Sequence, residues 1–215
     1  MTDKLDDYGR GLVKEHIYLD SNLDTSWIMK DIQLSPEVVD FDAFTRLKHI
    51  HDNIGRFVRE GWNLNLYSKN VGNGKTSWAI KIMKNFVDTY GCNFCKKCLY
   101  INVPLFIALS KDFENPDSLE KYSSLKARAM SADYSLVIFD EIAAKQATEA
   151  DMQTLFSIID HRITIGKSCI YTSNVLPEEL KKLVGERIAD RIAGADRTVN
   201  VELKGGSRRK AVEFI

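Results

Sequence analysis

The sequence predicts an α/β domain built on a parallel sheet, and three stretches carry that expectation. Asn63-Leu64-Asn65-Leu66-Tyr67 alternates like a strand, stops at a glycine-rich turn, and is followed by the helical segment Ser77 to Met83. Leu136-Val137-Ile138-Phe139 is a short run apolar on both faces, as in a central parallel strand. Ser168-Cys169-Ile170-Tyr171-Thr172 repeats that pattern after an intervening helical stretch. Strands and helices therefore alternate, as parallel crossovers demand. With 215 residues, the chain suits one domain and an extension, and a 44% hydrophobic content can fill a core. Its formal net charge is +0, so no overall field advertises nucleic acid. No run approaches the ~18 apolar residues of a membrane span, and the polar start lacks a signal-peptide core. Four cysteines do not make a disulfide scaffold at this length, so a reducing, cytoplasmic compartment is expected.

Residues 1–40 are polar, with apolar islands at Ile17-Tyr18-Leu19 and Trp27-Ile28-Met29 but no sustained period. They read as a partly ordered arm, either docking a partner or wrapping the core, ahead of a domain at 41–215. Phe44, Leu47, Ile50, Ile54, Phe57 and Val58 recur at helical steps until Gly61. After the glycine-rich turn a second amphipathic helix runs to Tyr90, with Gly91 as its stop. Leu99 to Val103 reads as a strand, and Pro104 opens a short helix to Lys111. A further helix passes through Leu119, Tyr122, Leu125 and Met130. It carries Lys121, Lys126 and Arg128, which are either a solvated face or a nucleic-acid contact. Another helix carries Met152, Leu155, Phe156, Ile159 and Ile163 to Gly166, and a helical segment opens near Pro177. Thr198 to Leu203 alternates as a last strand before the Gly205-Gly206 turn.

The chemistry concentrates at strand ends. Val71-Gly72-Asn73-Gly74-Lys75-Thr76 has the strand–turn–helix context of a phosphate-binding loop. Gly72 and Gly74 let backbone N–H groups approach phosphate oxygens, and the helix points its positive end at the same anion. Asn70 to Ser77 would form the cradle. Lys75 would reach the terminal phosphates, and Thr76 would bind Mg²⁺. The usual glycine six residues before the lysine is Lys69 here, so the loop entry is expected to differ. Asp140-Glu141 ends the apolar strand, where open α/β sheets hold ligands. Asp140 would hold Mg²⁺ and Glu141 would activate water. Ser173-Asn174 ends the next strand, facing the same region. Arg187 and Arg191 stand four apart on one predicted helix face, with Glu186 and Asp190 as ordinary pairing partners. Cys92, Cys95 and Cys98 have a spacing that zinc could use, but no second pair follows, so free thiols in a turn are the plainer reading.

The order of phosphate loop, Asp-Glu strand, Thr-Ser-Asn strand end and Glu-Arg-x-x-x-Arg resembles the AAA+ ATPases. Within them the chain resembles the DnaC/DnaI-type helicase loaders and the similar IstB-type transposition ATPases, from about Phe41 to Arg209. Gly206-Ser207-Arg208 looks like the closing Gly-x-Ser-x-Arg region of that branch, and the sequence stops soon after Arg191, as the lidless branch does. The resemblance implies a five-stranded parallel sheet of order 5-1-4-3-2, helices on both faces and no C-terminal lid domain. It implies ATP and Mg²⁺ as ligands, Asn174 as a sensor of the γ-phosphate, and Arg191 as a finger completing a neighbouring subunit's site. It further implies single-stranded DNA and a DnaB-type replicative helicase as partners, in a bacterial cell or as a phage-encoded version. The alternative is a transposition helper binding duplex DNA and a transposase. A small-molecule kinase fits the paired arginines poorly.

Overall fold

Five parallel strands form one sheet in a computed structural model of the chain, which describes residues 7–91, 96–143 and 147–208. They are β1 (Asn63–Tyr67), β2 (Lys97–Asn102), β3 (Tyr134–Asp140), β4 (Ser168–Ser173) and β5 (Thr198–Glu202). Their order is β2-β3-β4-β1-β5, the 5-1-4-3-2 sheet read from the other edge. Leu136 pairs with Cys98 and Ser168, and Phe139 with Ile101 and Tyr171, so the register runs straight across β2, β3 and β4.

The period of two decides which core each side chain joins. Leu136 and Ile138 face one layer together with Leu64, Leu66, Ile170 and Val201. That layer is α3 (Phe41–Asp52), α4 (Ile54–Arg59) and α5 (Lys75–Phe86), packed through Leu47, Ile54, Ile82 and Met83. Val137 and Phe139 face the opposite layer with Leu99, Ile101, Cys169 and Tyr171. There lie α6 (Val103–Lys111), α7 (Pro116–Met130), α8 (Glu149–Thr164), α9 (Pro177–Val184) and α10 (Glu186–Ala189). Every residue of β3 is buried, as an apolar central strand requires.

Several boundaries differ from the sequence pattern for identifiable reasons. The helix expected through Val58 breaks at Asn53, whose side-chain amide donates to the His49 carbonyl at 2.9 Å and caps α3 early. Val103 belongs to α6 instead of β2, because the Asn102 carboxamide accepts from Leu105 N–H and starts the helix there. Beyond α5 the chain widens into a π turn, Val87–Gly91. The last turn after α10 widens likewise, over Asp190–Gly194.

Residues 7–40 hold more structure than their weak periodicity suggests. The arm contains α1 (Asp7–Leu19) and α2 (Thr25–Met29), and it lies on the domain. Ile17 and Tyr18 are buried in the α3–α5 core. Asp20, just past α1, meets Lys97 at 3.3 Å, Arg128 at 3.3 Å and the Tyr134 hydroxyl at 2.8 Å. Farther on, Lys84 donates to the carbonyls of Ile28 and Lys30 at 2.8 Å, and Lys81 to that of Ile32 at 2.7 Å. Buried Asp40 then accepts from the Lys204 and Gly205 N–H groups at 2.7 and 3.1 Å, tying the arm's end to the segment after β5. Gly205 leaves the space for it: a Cβ there would lie 2.5 Å from the Asp40 carboxylate.

Cys98 lies inside β2, fully buried, with its thiol pushed up by burial, so it is not in a turn. Cys92 and Cys95 lie outside the described residues. Among the described residues no cluster of three or more His, Cys, Asp or Glu side chains gathers to hold a metal.

Candidate functional site

A cavity of about 940 Å³ opens at the carboxyl ends of β1, β3 and β4. Val71, Gly72, Asn73, Gly74, Lys75, Thr76 and Ser77 line it from the loop and α5; Asp140, Glu141 and Asn174 line it from the strand ends. Asn70 does not: its amide donates to the carbonyls of Lys204 and Gly205, at 2.9 and 3.1 Å, and anchors the loop from outside.

The loop's shape follows from its two glycines. Gly72 has φ 75 and Gly74, which caps α5, has φ 102, a region that L side chains rarely adopt. Lys69 is absent from the positive-φ positions, so the missing glycine costs no strain there; its ammonium lies 3.9 Å from Glu179. Asn73 is buried and donates to Ser68 Oγ at 2.7 Å, stitching the loop to its own entry.

Lys75 carries an electrostatic signal of its own. Its ammonium is buried and donates to the Asn70 carbonyl at 2.9 Å and to Asn73 Oδ1 at 3.2 Å, both neutral acceptors. Burial pushes its pKa down to about 8, and Asp140 and Glu141 only partly offset this. A buried cation whose hydrogen bonds go to neutral groups, at the positive end of α5, fits an anion such as a nucleotide's phosphates.

Asp140 is buried and receives three hydroxyls. Thr76 and Thr172 donate to Oδ1 at 2.9 and 2.6 Å, and Tyr100 donates to Oδ2 at 2.7 Å. Burial first, and Asp140 second, raise the Tyr100 hydroxyl well above its ordinary range, so it stays a donor. The carboxylate and the Thr76 hydroxyl are hard oxygen donors in contact, a pair suited to Mg²⁺. Glu141 adopts φ 58, unusual for a side chain of its size, held by its N–H donating to Thr172 Oγ1 at 2.9 Å. That turn leaves its carboxylate exposed at the cavity.

The remaining sequence candidates lie elsewhere. Arg191 pairs with Asp160 at 2.8 Å, and Arg187 lies over the Phe156 ring at 4.4 Å. Both therefore face α8, one turn apart, and neither lines the cavity of its own chain. On α7, Lys121 is exposed, Lys126 is half-buried, and Arg128 is engaged with Asp20 and Tyr134.

Two contributors escaped sequence reasoning. Arg208 lines the cavity, with its Nε buried and without a hydrogen-bond partner among the described residues. Its N–H donates to the Gly72 carbonyl at 2.9 Å, and its guanidinium to the Ser35 carbonyl at 2.6 Å. The Gly206-Ser207-Arg208 ending was the available signal. The arm forms the opposite wall, through Trp27 and residues 30–34, a stretch with no pattern to mark it.

No protein-family profile matches the chain, and no curated protein matches it in sequence. Solved structures do match in fold. The DnaC helicase loader aligns with a TM-score of 0.62 at 17% identity, over 87% of this chain and 98% of that one. DnaI aligns with a TM-score of 0.62 at 18% identity, over 88% and 95%. A replication initiator DnaA bound to AMPPCP and single-stranded DNA aligns with a TM-score of 0.59 at 17% identity, over 81% and 50%. At these identities the likeness is one of fold: the sheet and its helices are arranged as in these helicase loaders and initiators.

Proposed function

We propose that this chain is an ATPase that loads a replicative helicase of the DnaB type onto single-stranded DNA. The observation that carries the reading is the convergence of Lys75, Thr76, Asp140, Glu141 and Asn174 on one cavity. In this reading the N–H groups of the loop and Lys75 bind the triphosphate of ATP. Thr76 and Asp140 would hold Mg²⁺, which would supply positive charge beside the phosphates. Glu141 takes the proton of the attacking water, and Asn174 orients that water against the γ-phosphate. Arg191, turned away from its own cavity, reaches the γ-phosphate of a neighbouring copy, so hydrolysis belongs to an assembly. Exchanging Asp160 for that phosphate costs Arg191 one exposed ion pair, a small term.

The arm is the proposed helicase contact. Tyr8, Leu12 and Leu19 lie on one stripe of α1 and are exposed, opposite the face that packs on the domain. Lys121 and Lys126 are the proposed DNA contacts, with Arg128 committed to holding Asp20. Among the described residues no helix is long and apolar enough to cross a membrane, and a bacterial cytoplasmic setting accords with the partners.

The test is the ATPase rate of the wild type and of Arg191→Ala, with and without single-stranded DNA and a candidate helicase. Stimulation by both partners in the wild type, lost in the variant, is expected. No stimulation and no co-purification with the helicase would remove the loader reading, and filaments on duplex DNA would point to a transposition helper.

A further inference from the structure

Tyr100 sits in β2, at the edge of the sheet, and is held in three ways at once. Its hydroxyl donates to Asp140 Oδ2 at 2.7 Å. Its backbone bonds to the arm on both sides: its N–H donates to the Ser21 carbonyl at 2.8 Å, and its carbonyl accepts from the Asn22 amide at 2.9 Å. Its ring packs between the α3–α5 core and a small apolar cluster whose buried members lie outside both main cores. Leu23 and Ile32 of the arm and Ile80 of α5 are the buried members of that cluster, with Trp27, Ile28 and Leu34 around them. Apart from Ile80 and Tyr100, every residue of the cluster belongs to the arm. Asn22 holds φ 57 while it makes its contact, a conformation that costs a non-glycine residue energy and persists where surroundings enforce it.

We propose that Tyr100 is a positioning residue for the Asp140 carboxylate, and that the arm sets Tyr100 and thereby the affinity of the site for Mg²⁺. This rests on the reading of Asp140 as a metal-binding group. Thr76 and Thr172 share Oδ1, while the Tyr100 hydroxyl is the donor at Oδ2. When Thr76 turns its oxygen toward a metal, Tyr100 and Thr172 keep the carboxylate from swinging. Groups that orient a ligand from behind change metal affinity by about 10–100-fold when removed. Displacing residues 21–32 would remove the Tyr100 backbone bonds to the arm and uncover the arm's side of its ring, and the effect would reach Asp140 through a single hydroxyl. A partner seated on the arm thus has a short physical route to the metal site.

The experiment titrates the full chain with a non-hydrolysable ATP analogue by calorimetry, once in EDTA and once in Mg²⁺. The ratio of the two affinities, the Mg²⁺ gain, is the readout and needs no turnover. Tyr100→Phe keeps the ring and removes the hydroxyl; it should cut the gain about tenfold, the loss in Mg²⁺ exceeding any change in EDTA. Leu23→Ala, which loosens the ring from the arm's side, should cut the gain by less. The double variant should lose no more than Tyr100→Phe alone, since both act through one hydroxyl. An unchanged or larger gain in Tyr100→Phe overturns the positioning role, as does an equal loss in both buffers. Additive losses overturn the arm's part. A wild-type chain that binds no analogue in either buffer refutes the nucleotide reading itself, a result distinct from a binding wild type with an indifferent variant.

Discussion

Raising the pH from 7 to 9 titrates Lys75 in the nucleotide-free protein, because burial has brought its pKa down to about 8. A bound triphosphate holds the same ammonium charged, so binding takes up a proton above that pH. At pH 9 roughly nine-tenths of the free chains carry a neutral Lys75, and the apparent Kd for Mg–ATP should be about tenfold weaker than at pH 7, about 1.4 kcal/mol. Fluorescent-analogue titrations at half-unit steps of pH measure the effect. In Lys75→Ala the binding should be weak and nearly independent of pH. A flat wild-type profile, or an equal slope in the variant, would refute the claim that the buried ammonium binds the phosphates.

The same residue should show its cost when nothing is bound. The folded-state pKa of Lys75 lies below its unfolded value, so burying the charge opposes folding at neutral pH, and stability rises as pH goes from about 8 towards 10.5. Lys75→Met should therefore raise the Tm of the nucleotide-free protein at pH 7 by differential scanning calorimetry, and a fall would count against it. Arg191→Ala should lower turnover in the assembled, DNA-stimulated state by about 10³–10⁵-fold while leaving the affinity for ATP unchanged, measured by steady-state kinetics and titration. Arg162 is fully buried and donates to the carbonyls of Ala129, Tyr134 and Ser168 and to Cys169 Sγ. Arg162→Ala leaves those carbonyls unpaired beside a cavity and should cost about 3 kcal/mol or more in urea unfolding.

What could be read in the residues was whatever local physics dictates. Leu136 to Phe139 announced a central strand because apolar character on both faces has few other uses. Gly72 and Gly74 announced the loop because its backbone needs φ values that other residues avoid. The resemblance supplied the strand order, which no local pattern encodes. The arm was illegible for the opposite reason. Much of its hold comes from backbone carbonyls at Ser21, Ile28, Lys30 and Ile32, which any sequence would present. Tyr100 looked like one more strand aromatic, since its role depends on Asp140, brought beside it only by the pairing of β2 with β3. Asn70, grouped with the loop by adjacency, proved to face the Lys204 and Gly205 carbonyls instead of the cavity.

Arg208 joins two of these threads, because it touches both the phosphate loop and the arm. Its main-chain N–H holds the phosphate loop at Gly72, and its guanidinium holds the arm at Ser35. Its side chain runs past Gly74, where a Cβ would lie 3.7 Å from Arg208 Cδ. Glu37 and Asp40 stand 3.9 Å from its nitrogens, too far for strong bonds yet near enough to offset its charge. A triphosphate entering beside Gly74 offers that guanidinium denser negative charge than a single carbonyl and two distant carboxylates. The contact with Ser35 is the one such a phosphate would compete with, so Arg208 is where the loop, the arm and the proposed ligand meet.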